Sequence, residues 1–106
     1  MSQKLTLLGL TVLGAILISA AAEKSAAFRP KDGFVPNKEV AVKIAVAVWE
    51  PIYGSERIAA EKPYEARLTN GVWIVHGSLA AGALVGVAEA QISKDDGRIL
   101  GVRHGQ

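Results

Sequence analysis

The sequence predicts an α+β fold in which a long helix and a short second helix pack on one face of a four-stranded antiparallel sheet. Three observations lead to this prediction. Apolar residues recur every three or four positions between residues 37 and 54, the period of an amphipathic helix. From residue 64 onward the period changes to two, as in half-buried strands. Short turn sequences divide these strands into two hairpins.

The long helix is predicted to begin at Asn37, whose side chain can accept a hydrogen bond from an N–H of the first turn. Pro51 lacks an N–H and disfavours helical geometry at Glu50, so we expect the helix to end near Trp49. The apolar stripe consists of Ala41, Ile44, Ala45, Val48 and Trp49.

The short second helix is predicted over residues 55–62, with Ile58 and Ala59 facing inward. Pro63 ends it, because proline cannot continue a helix. Further along the chain, residues 78–85 are rich in Gly and Ala and are predicted to connect the two hairpins.

The first hairpin is predicted at Asn70-Gly71, since both residues tolerate the positive φ of a type I′ turn. A two-residue turn fixes the register, which places Leu68 opposite Trp73 and Ala66 opposite Val75. These four side chains therefore share one face, which we expect to lie under the helix.

The second hairpin offers a choice of register. A three-residue loop pairs Ile92 with Leu100 and Ala90 with Val102, whereas a two- or four-residue loop pairs Ile92 with Ile99 and leaves Leu100 and Val102 on the solvent side. The apolar pattern favours the three-residue loop. The strands and loop are then residues 86–93, 98–104 and 95–97.

The N-terminus has the organisation of a secretory signal peptide. Residues 1–22 combine a Lys, an apolar run and a small-residue end of the A-x-A kind, which predicts export to the periplasm or cell envelope. An uncleaved membrane anchor is the alternative, because the run reaches the lower length limit of a span. Residues 23–32 are predicted to be a flexible tether, and residues 33–106 the folded domain.

Composition and motifs argue against several classes of function. A net charge of +2 provides no electrostatic footprint for nucleic acid. The absence of cysteine excludes disulfides and thiolate catalysis. No arrangement of residues predicts a catalytic group, a metal site or a cofactor, and the chain is expected not to be an enzyme.

Individual candidates for chemistry have simpler interpretations. His76 and His104 lack a third ligand and fall on opposite faces of the predicted sheet, so we expect surface or edge roles for both. Asp95-Asp96 resembles an acid/base pair but lies in a turn that favours Asp and Gly. The aromatic residues could form a cage or a pocket, although their spacing is more typical of a core; they are Trp49, Tyr53 and Trp73.

The second face of the sheet is the candidate partner-binding surface. It mixes charge with a few apolar residues, which suits a protein-binding patch with an apolar centre. An ordinary solvated outer face is the alternative interpretation. The candidate residues are Glu65, Arg67, Ile74, His76, Glu89, Gln91 and Arg103, with Val72 and Ile99 beside them.

Several segments, taken in order, resemble a known family. They are Gly33-Phe34-Val35-Pro36, the helix with Ala41, Ile44 and Ala45, Trp49-x-Pro51-Ile52-Tyr53-Gly54, Lys62-Pro63-Tyr64, residues 71–77, residues 86–92, residues 96–100 and His104-Gly105. Together they resemble the bacterial immunity protein domain with a nuclear-transport-factor-2-like fold.

The resemblance implies a non-enzymatic protein that binds and neutralises a cognate protein toxin. Two other classes stay open at this point. One is a small-ligand-binding or envelope accessory module with a pocket between helix and sheet near the three aromatic residues. The other is an enzyme, which the lack of an inward-facing acid/base pair argues against. A membrane is expected as a partner only through an uncleaved N-terminal segment.

Overall fold

The computed structural model describes residues 27–81 and 86–105. The strands form one antiparallel sheet in the order β1-β2-β3-β4, and helix α1 packs against β1, β2 and β3. The predicted α+β architecture is confirmed. The elements are α1 Lys38–Tyr53, α2 Ser55–Ala59, β1 Glu65–Thr69, β2 Val72–His76, β3 Ala88–Ser93 and β4 Ile99–His104.

Three sequence predictions fall wholly or partly outside the described residues. The predicted signal peptide or anchor, residues 1–22, lies entirely outside them. So do the first part of the predicted tether and residues 82–85 of the predicted connection. These remain predictions.

Helix α1 begins as its sequence predicts. The side chain of Asn37 accepts a hydrogen bond from the Val40 N–H at 3.0 Å, which satisfies one of the free donors of the first turn. Ala41, Ala45 and Trp49 are fully buried and follow one another at four-residue spacing. The stripe therefore faces the sheet, with partly buried valines on either side of it.

The prediction that α1 ends near Trp49 is wrong. The helix continues through Pro51 for part of a further turn and closes with a 2.9 Å hydrogen bond from the Gly54 N–H to the Glu50 carbonyl. Proline removes the N–H that would have bonded to the carbonyl of Ala47. Because Ala47 is exposed, water can satisfy that carbonyl, and a single missing bond near the helix end is tolerated.

Helix α2 is shorter than predicted. Ile58 is buried as expected, but Ala59 is exposed, since adjacent residues of a helix point about 100° apart and this short helix packs only one side. The Tyr64 hydroxyl donates a 2.8 Å hydrogen bond to the Ile58 carbonyl. Burial raises the pKa of Tyr64, and the nearby charges of Glu50 and Glu61 raise it further, so the hydroxyl stays a donor.

The first hairpin has the predicted register. Asn70 and Gly71 have φ values of 49° and 76°, as a type I′ turn requires. Leu68 pairs with Trp73, and the strands keep this register along their whole length. The short local turn sequence is sufficient to specify this half of the sheet.

The second hairpin has the predicted register only at its far end. Ala90 pairs with Val102, but Ile92 pairs with Ile99 rather than with Leu100. A β-bulge causes the shift, with Leu100 as the extra residue, and this side chain is 46% exposed instead of lying in the core. Our prediction assumed one register along the whole strand pair, an assumption that a bulge breaks.

The core combines large and small side chains. Four buried alanines, two on α1 and two on β3, share the cluster with two tryptophans. The small alanine side chains leave room for the large indole rings, so the core is closely packed. The rings of Trp49 and Tyr64 are tilted relative to each other, and their centroids are 5.9 Å apart. The buried members are Val35, Ala41, Ala45, Trp49, Ile58, Trp73, Val75, Ala88, Ala90 and Ile92.

Val35 fixes the segment before α1 to the sheet. Its N–H donates to the Lys94 carbonyl at 3.0 Å, and its own carbonyl accepts a 2.8 Å hydrogen bond from Trp73 Nε1. Its side chain is fully buried, whereas the neighbouring Phe34 is exposed. The approach to the helix is therefore held by the β3–β4 loop and by a core indole.

A buried carboxylate, Glu61, joins three separate parts of the chain. Its Oε1 accepts from the Ala88 N–H at 2.7 Å, and its Oε2 lies 2.9 Å from His104 Nε2. Its backbone carbonyl accepts from the Ser78 N–H at 2.7 Å. A Cβ added at Gly77 would lie 2.5 Å from Oε1, so only glycine leaves room for this carboxylate.

We predict that Glu61→Ala lowers the free energy of unfolding by about 3 kcal/mol, because it leaves the buried Ala88 N–H and the His104 side chain without their acceptor. Glu61→Gln should cost less, since an amide oxygen can still accept from Ala88. Urea unfolding followed by circular dichroism measures the difference.

The matched control is Glu56→Ala on the exposed side of α2, which should change stability by no more than about 0.5 kcal/mol. Equal losses for the Glu61 and Glu56 variants would show that Glu61 does not join these segments.

Candidate protein-binding surface

The residues predicted to bind a partner lie together on the sheet face opposite α1, which we call the outer face. Alternate residues of β2 and β3 point to the buried side, so those between them point outward. The pairing aligns the outward residues into two rows across the sheet. One row contains Glu65, His76, Glu89 and Arg103; the other contains Arg67, Ile74, Gln91 and Gly101.

The centre of the outer face is apolar. Ile74 lies in the middle of the second row, on an internal strand, and is only half-buried. Val72 on the same strand is also half-buried. No described residue outside the sheet covers them in the way that α1 covers the opposite face. This exposure gives the outer face an apolar centre with a polar surround.

The charged residues of the outer face form one ion pair, and a histidine lies beside a carboxylate. Arg103 Nε lies 3.2 Å from Glu89 Oε2, and His76 Nε2 lies 3.7 Å from Glu65 Oε2. His76 Nδ1 is 2.8 Å from the Gly77 carbonyl, an acceptor, so the proton in this bond belongs to Nδ1. Both pairs are accessible to solvent, where such contacts contribute at most about 1 kcal/mol.

Arg67 differs from the other charged residues of this face. No carboxylate of the described residues lies within 4.0 Å of its guanidinium group. Its neighbour across the strand is the apolar Ile74. A planar donor group beside an exposed apolar side chain is a frequent combination in protein interfaces.

One member of the predicted surface is misplaced. The predicted register sets Ile99 opposite Ser93, but the bulge sets it opposite Ile92, a residue of the buried face. Ile99 is therefore removed from the candidate surface. The residues that remain are Glu65, Arg67, Ile74, His76, Glu89, Gln91 and Arg103, with Val72 beside them.

The two histidines lie on opposite faces of the sheet, as predicted. His76 pairs with Glu89 on the outer face, and His104 pairs with the buried Ala88. His104 is on an edge strand, one of the two expected places, but its side chain is only 11% exposed and is therefore not at the surface. Sequence reasoning missed its partner Glu61, because a contact between residues so far apart has no local signal.

Asp95 and Asp96 serve the turn. The Arg98 N–H donates to Asp96 Oδ1 at 3.0 Å, and this hydrogen bond is the main reason that the pKa of Asp96 lies below its usual range. The Asp95 side chain forms a distant, exposed pair with Arg29 at 4.0 Å, and the Asp95 carbonyl accepts from the Phe34 N–H at 2.9 Å. These contacts agree with the turn interpretation of the sequence.

The aromatic residues do not form the pocket considered as an alternative. Trp49 and Trp73 are buried in the core, and Tyr53 packs against the His104 ring at 5.0 Å. An open groove of about 700 Å³ lies elsewhere, between the first turns of α1 and strand β1. The residues that line this groove are Lys38, Glu39, Val42, Lys43, Tyr64, Glu65, Ala66, Arg67 and His76.

The contribution of Lys38 and Lys43 to this groove was not predicted. Helical spacing places residues 38, 39, 42 and 43 on one side of α1, but the sequence does not indicate which strand they face.

Within residues 27–81 and 86–105, no cluster of three or more acidic or histidine side chains could hold a metal ion. In the same residues, no helix has the length and apolar character needed to cross a membrane.

Comparisons with known proteins agree with the fold and with the resemblance seen in the sequence. The chain is 36% identical over 73 residues to the uncharacterized protein YhhH of Escherichia coli (strain K12), a match that covers 68% of this chain and 58% of the relative. The chain thus spans less than two thirds of that relative's length. No solved structure matches this chain. The family model described as NTF2 fold immunity protein matches residues 40–106, which include all of α1 except its first two residues and the entire sheet, and this chain belongs to that family.

Proposed function

We propose that this chain neutralises a protein toxin in the cell envelope by binding it, without catalysis, through the outer face of the sheet. Membership of the immunity protein family supports a toxin-neutralising role. The observation that carries the proposed surface is that α1 covers one face of the sheet and leaves Ile74 and its charged neighbours accessible on the other.

The chemistry of the outer face suits recognition of another protein. An apolar centre supplies burial, and charged residues of both signs around it supply selectivity and steering. The Arg103–Glu89 ion pair and the His76–Glu65 contact are accessible to solvent and weak, so a partner can exchange them for contacts across an interface at little cost. Binding at this face would occlude the toxin's own active surface or block its approach to a target.

Substitution of Arg67→Glu together with Arg103→Glu tests the proposed surface. The pair should weaken toxin binding about 100-fold, because two favourable charges become repulsive, one directly opposite Ile74 and the other in the neighbouring row of the outer face. The measurement is growth rescue in cells that co-produce the protein encoded beside this gene, supported by titration calorimetry with that protein.

The matched control is Arg29→Glu with Arg57→Glu, which makes the same change in net charge at exposed positions away from the outer face. This variant should rescue growth as the unaltered chain does. Full rescue by the Arg67/Arg103 variant would remove the outer face from the proposal.

Export gives a second test. If residues 1–22 are a cleaved signal peptide, the protein recovered from the periplasmic fraction begins at Glu23, and mass spectrometry of the intact chain shows the corresponding loss. Replacing Leu8 and Leu10 by Asp interrupts the apolar run and should retain the protein in the cytoplasm at its full length. A full-length protein in the membrane fraction would favour the anchor instead.

A further inference from the structure

Strand β1 presents unpaired backbone groups at one edge of the sheet. On the neighbouring strand, the Gly71 carbonyl accepts from the Lys94 N–H at 2.9 Å, and the Gly77 N–H donates to the Ala88 carbonyl at 3.0 Å. Since an antiparallel strand bonds to its two neighbours through alternate residues, the even-numbered residues of β2 bond to β1.

Their partners on β1 are Glu65, Arg67 and Thr69. The N–H and C=O groups of Ala66 and Leu68 therefore point away from the sheet, and no described residue pairs with them.

The two edges of the sheet differ in how well they could accept another strand. The β4 edge carries the bulge at Leu100, a feature that discourages strand addition. The β1–β2 register has no such interruption. Leu68, whose side chain faces the helix side, is 46% exposed because no strand lies beyond it. The β1 edge is regular and has an apolar side chain to cover.

Helix α1 forms a wall beside this edge. The groove between them holds about 700 Å³, enough for part of an extended chain, and Val42, Tyr64 and Ala66 provide its apolar lining. An added strand would place alternate side chains against this lining and the others beside Glu65 and Arg67 on the outer face.

The cations of the groove lack partners. Lys38, Lys43 and Arg67 have no carboxylate of the described residues within 4.0 Å. Of the two acids that line the groove, Glu65 faces His76, and Glu39 is in the first turn of α1, where it stabilises the positive end of the helix. The unmatched charge in the groove is positive, so it suits an acidic occupant.

We propose that an extended acidic segment of the partner protein pairs with β1 as a fifth strand and lies in the groove beside α1. This inference rests on the proposed binding function and extends it by naming the shape and charge of one contacted segment. Backbone hydrogen bonds to Ala66 and Leu68 supply affinity, and carboxylates facing Lys38, Lys43 and Arg67 supply selectivity.

A second copy of the chain fits this edge less well. The two-fold antiparallel pairing that overlaps all of β1 sets Arg67 directly opposite Arg67 of the other copy. Like charges at directly opposed positions destabilise a strand pair. An acidic strand makes the opposite, favourable contact.

The test uses the full chain with nitrogen-15 labelling and two blocked eight-residue peptides, one alternating valine with glutamate and the other valine with lysine. The glutamate peptide should slow amide exchange at Ala66 and Leu68 and bind about tenfold or more tightly than the lysine peptide. Added salt should reduce this difference.

Two variants sharpen the test. Lys43→Glu with Arg67→Glu should reverse the preference between the peptides, whereas Arg29→Glu with Arg57→Glu should preserve it. Ala66→Pro removes one outward N–H but no bond to β2, so it should abolish peptide binding while the β1–β2 signals persist.

The inference is overturned if both peptides bind alike, or if the glutamate peptide perturbs Ile74 and Gln91 rather than Ala66 and Leu68. Protection of the Ala66 and Leu68 amides before peptide is added would also overturn it, by assigning the edge to this chain itself or to a second copy. None of these outcomes bears on the growth-rescue test, so failure at this edge is distinct from failure of the toxin-binding function.

Discussion

Burial of Trp49 against the sheet is the interaction on which the rest of the structure depends. Its indole is fully buried in a cluster with the alanines of α1 and β3 and with the second tryptophan, Trp73. Removing a buried tryptophan side chain typically costs about 3–5 kcal/mol, a large part of the stability of a domain of this size. The exposed ion pairs of the sheet contribute at most about 1 kcal/mol each. The helix-side packing therefore determines the fold, and we propose that the outer face provides recognition.

This division separates the Trp49-x-Pro51-Ile52-Tyr53-Gly54 corner from the proposed binding surface. The corner that follows Trp49 ends the helix and turns the chain into α2, and its aromatic residues point to the core or pack against His104. Glu61 then ties the same region to β3 and β4. The elements on the helix side are linked to one another, whereas on the outer face Ile74 is half-buried and Arg67 has no carboxylate of the described residues within 4.0 Å.

The parts of the fold that could be predicted from the sequence have local causes. Asn37 caps α1 through an N–H three residues away, and the Asn70-Gly71 turn sets the β1–β2 register within two residues. The outer face followed from that register and from strand alternation. Two predictions failed for reasons that the residue pattern does not show. A bulge gives the β3–β4 pair two registers. The hydrogen bond that Pro51 removes would have been accepted by a carbonyl at an exposed residue, so the helix continues through the proline.

Contacts between distant residues were the other limit. Glu61 and His104 are 43 positions apart, and neither has a neighbouring residue that signals the pairing. The groove beside β1 likewise depends on how α1 is oriented over the sheet, which helical periodicity leaves undetermined. In both cases the sequence shows which residues are present but does not predict that they lie close together in the fold.

The central claim is that the toxin binds the outer face and that the buried stripe of α1 serves the fold. Methyl cross-saturation in the complex of this chain with its toxin tests it most directly. Saturation should pass to the methyl groups of Val72 and Ile74 on the outer face and not to those of Ala45 and Ile92, which are buried under α1. Transfer concentrated on the exposed methyls of α1 and α2, at Ala47 and Ala59, with none at Ile74, would contradict the account.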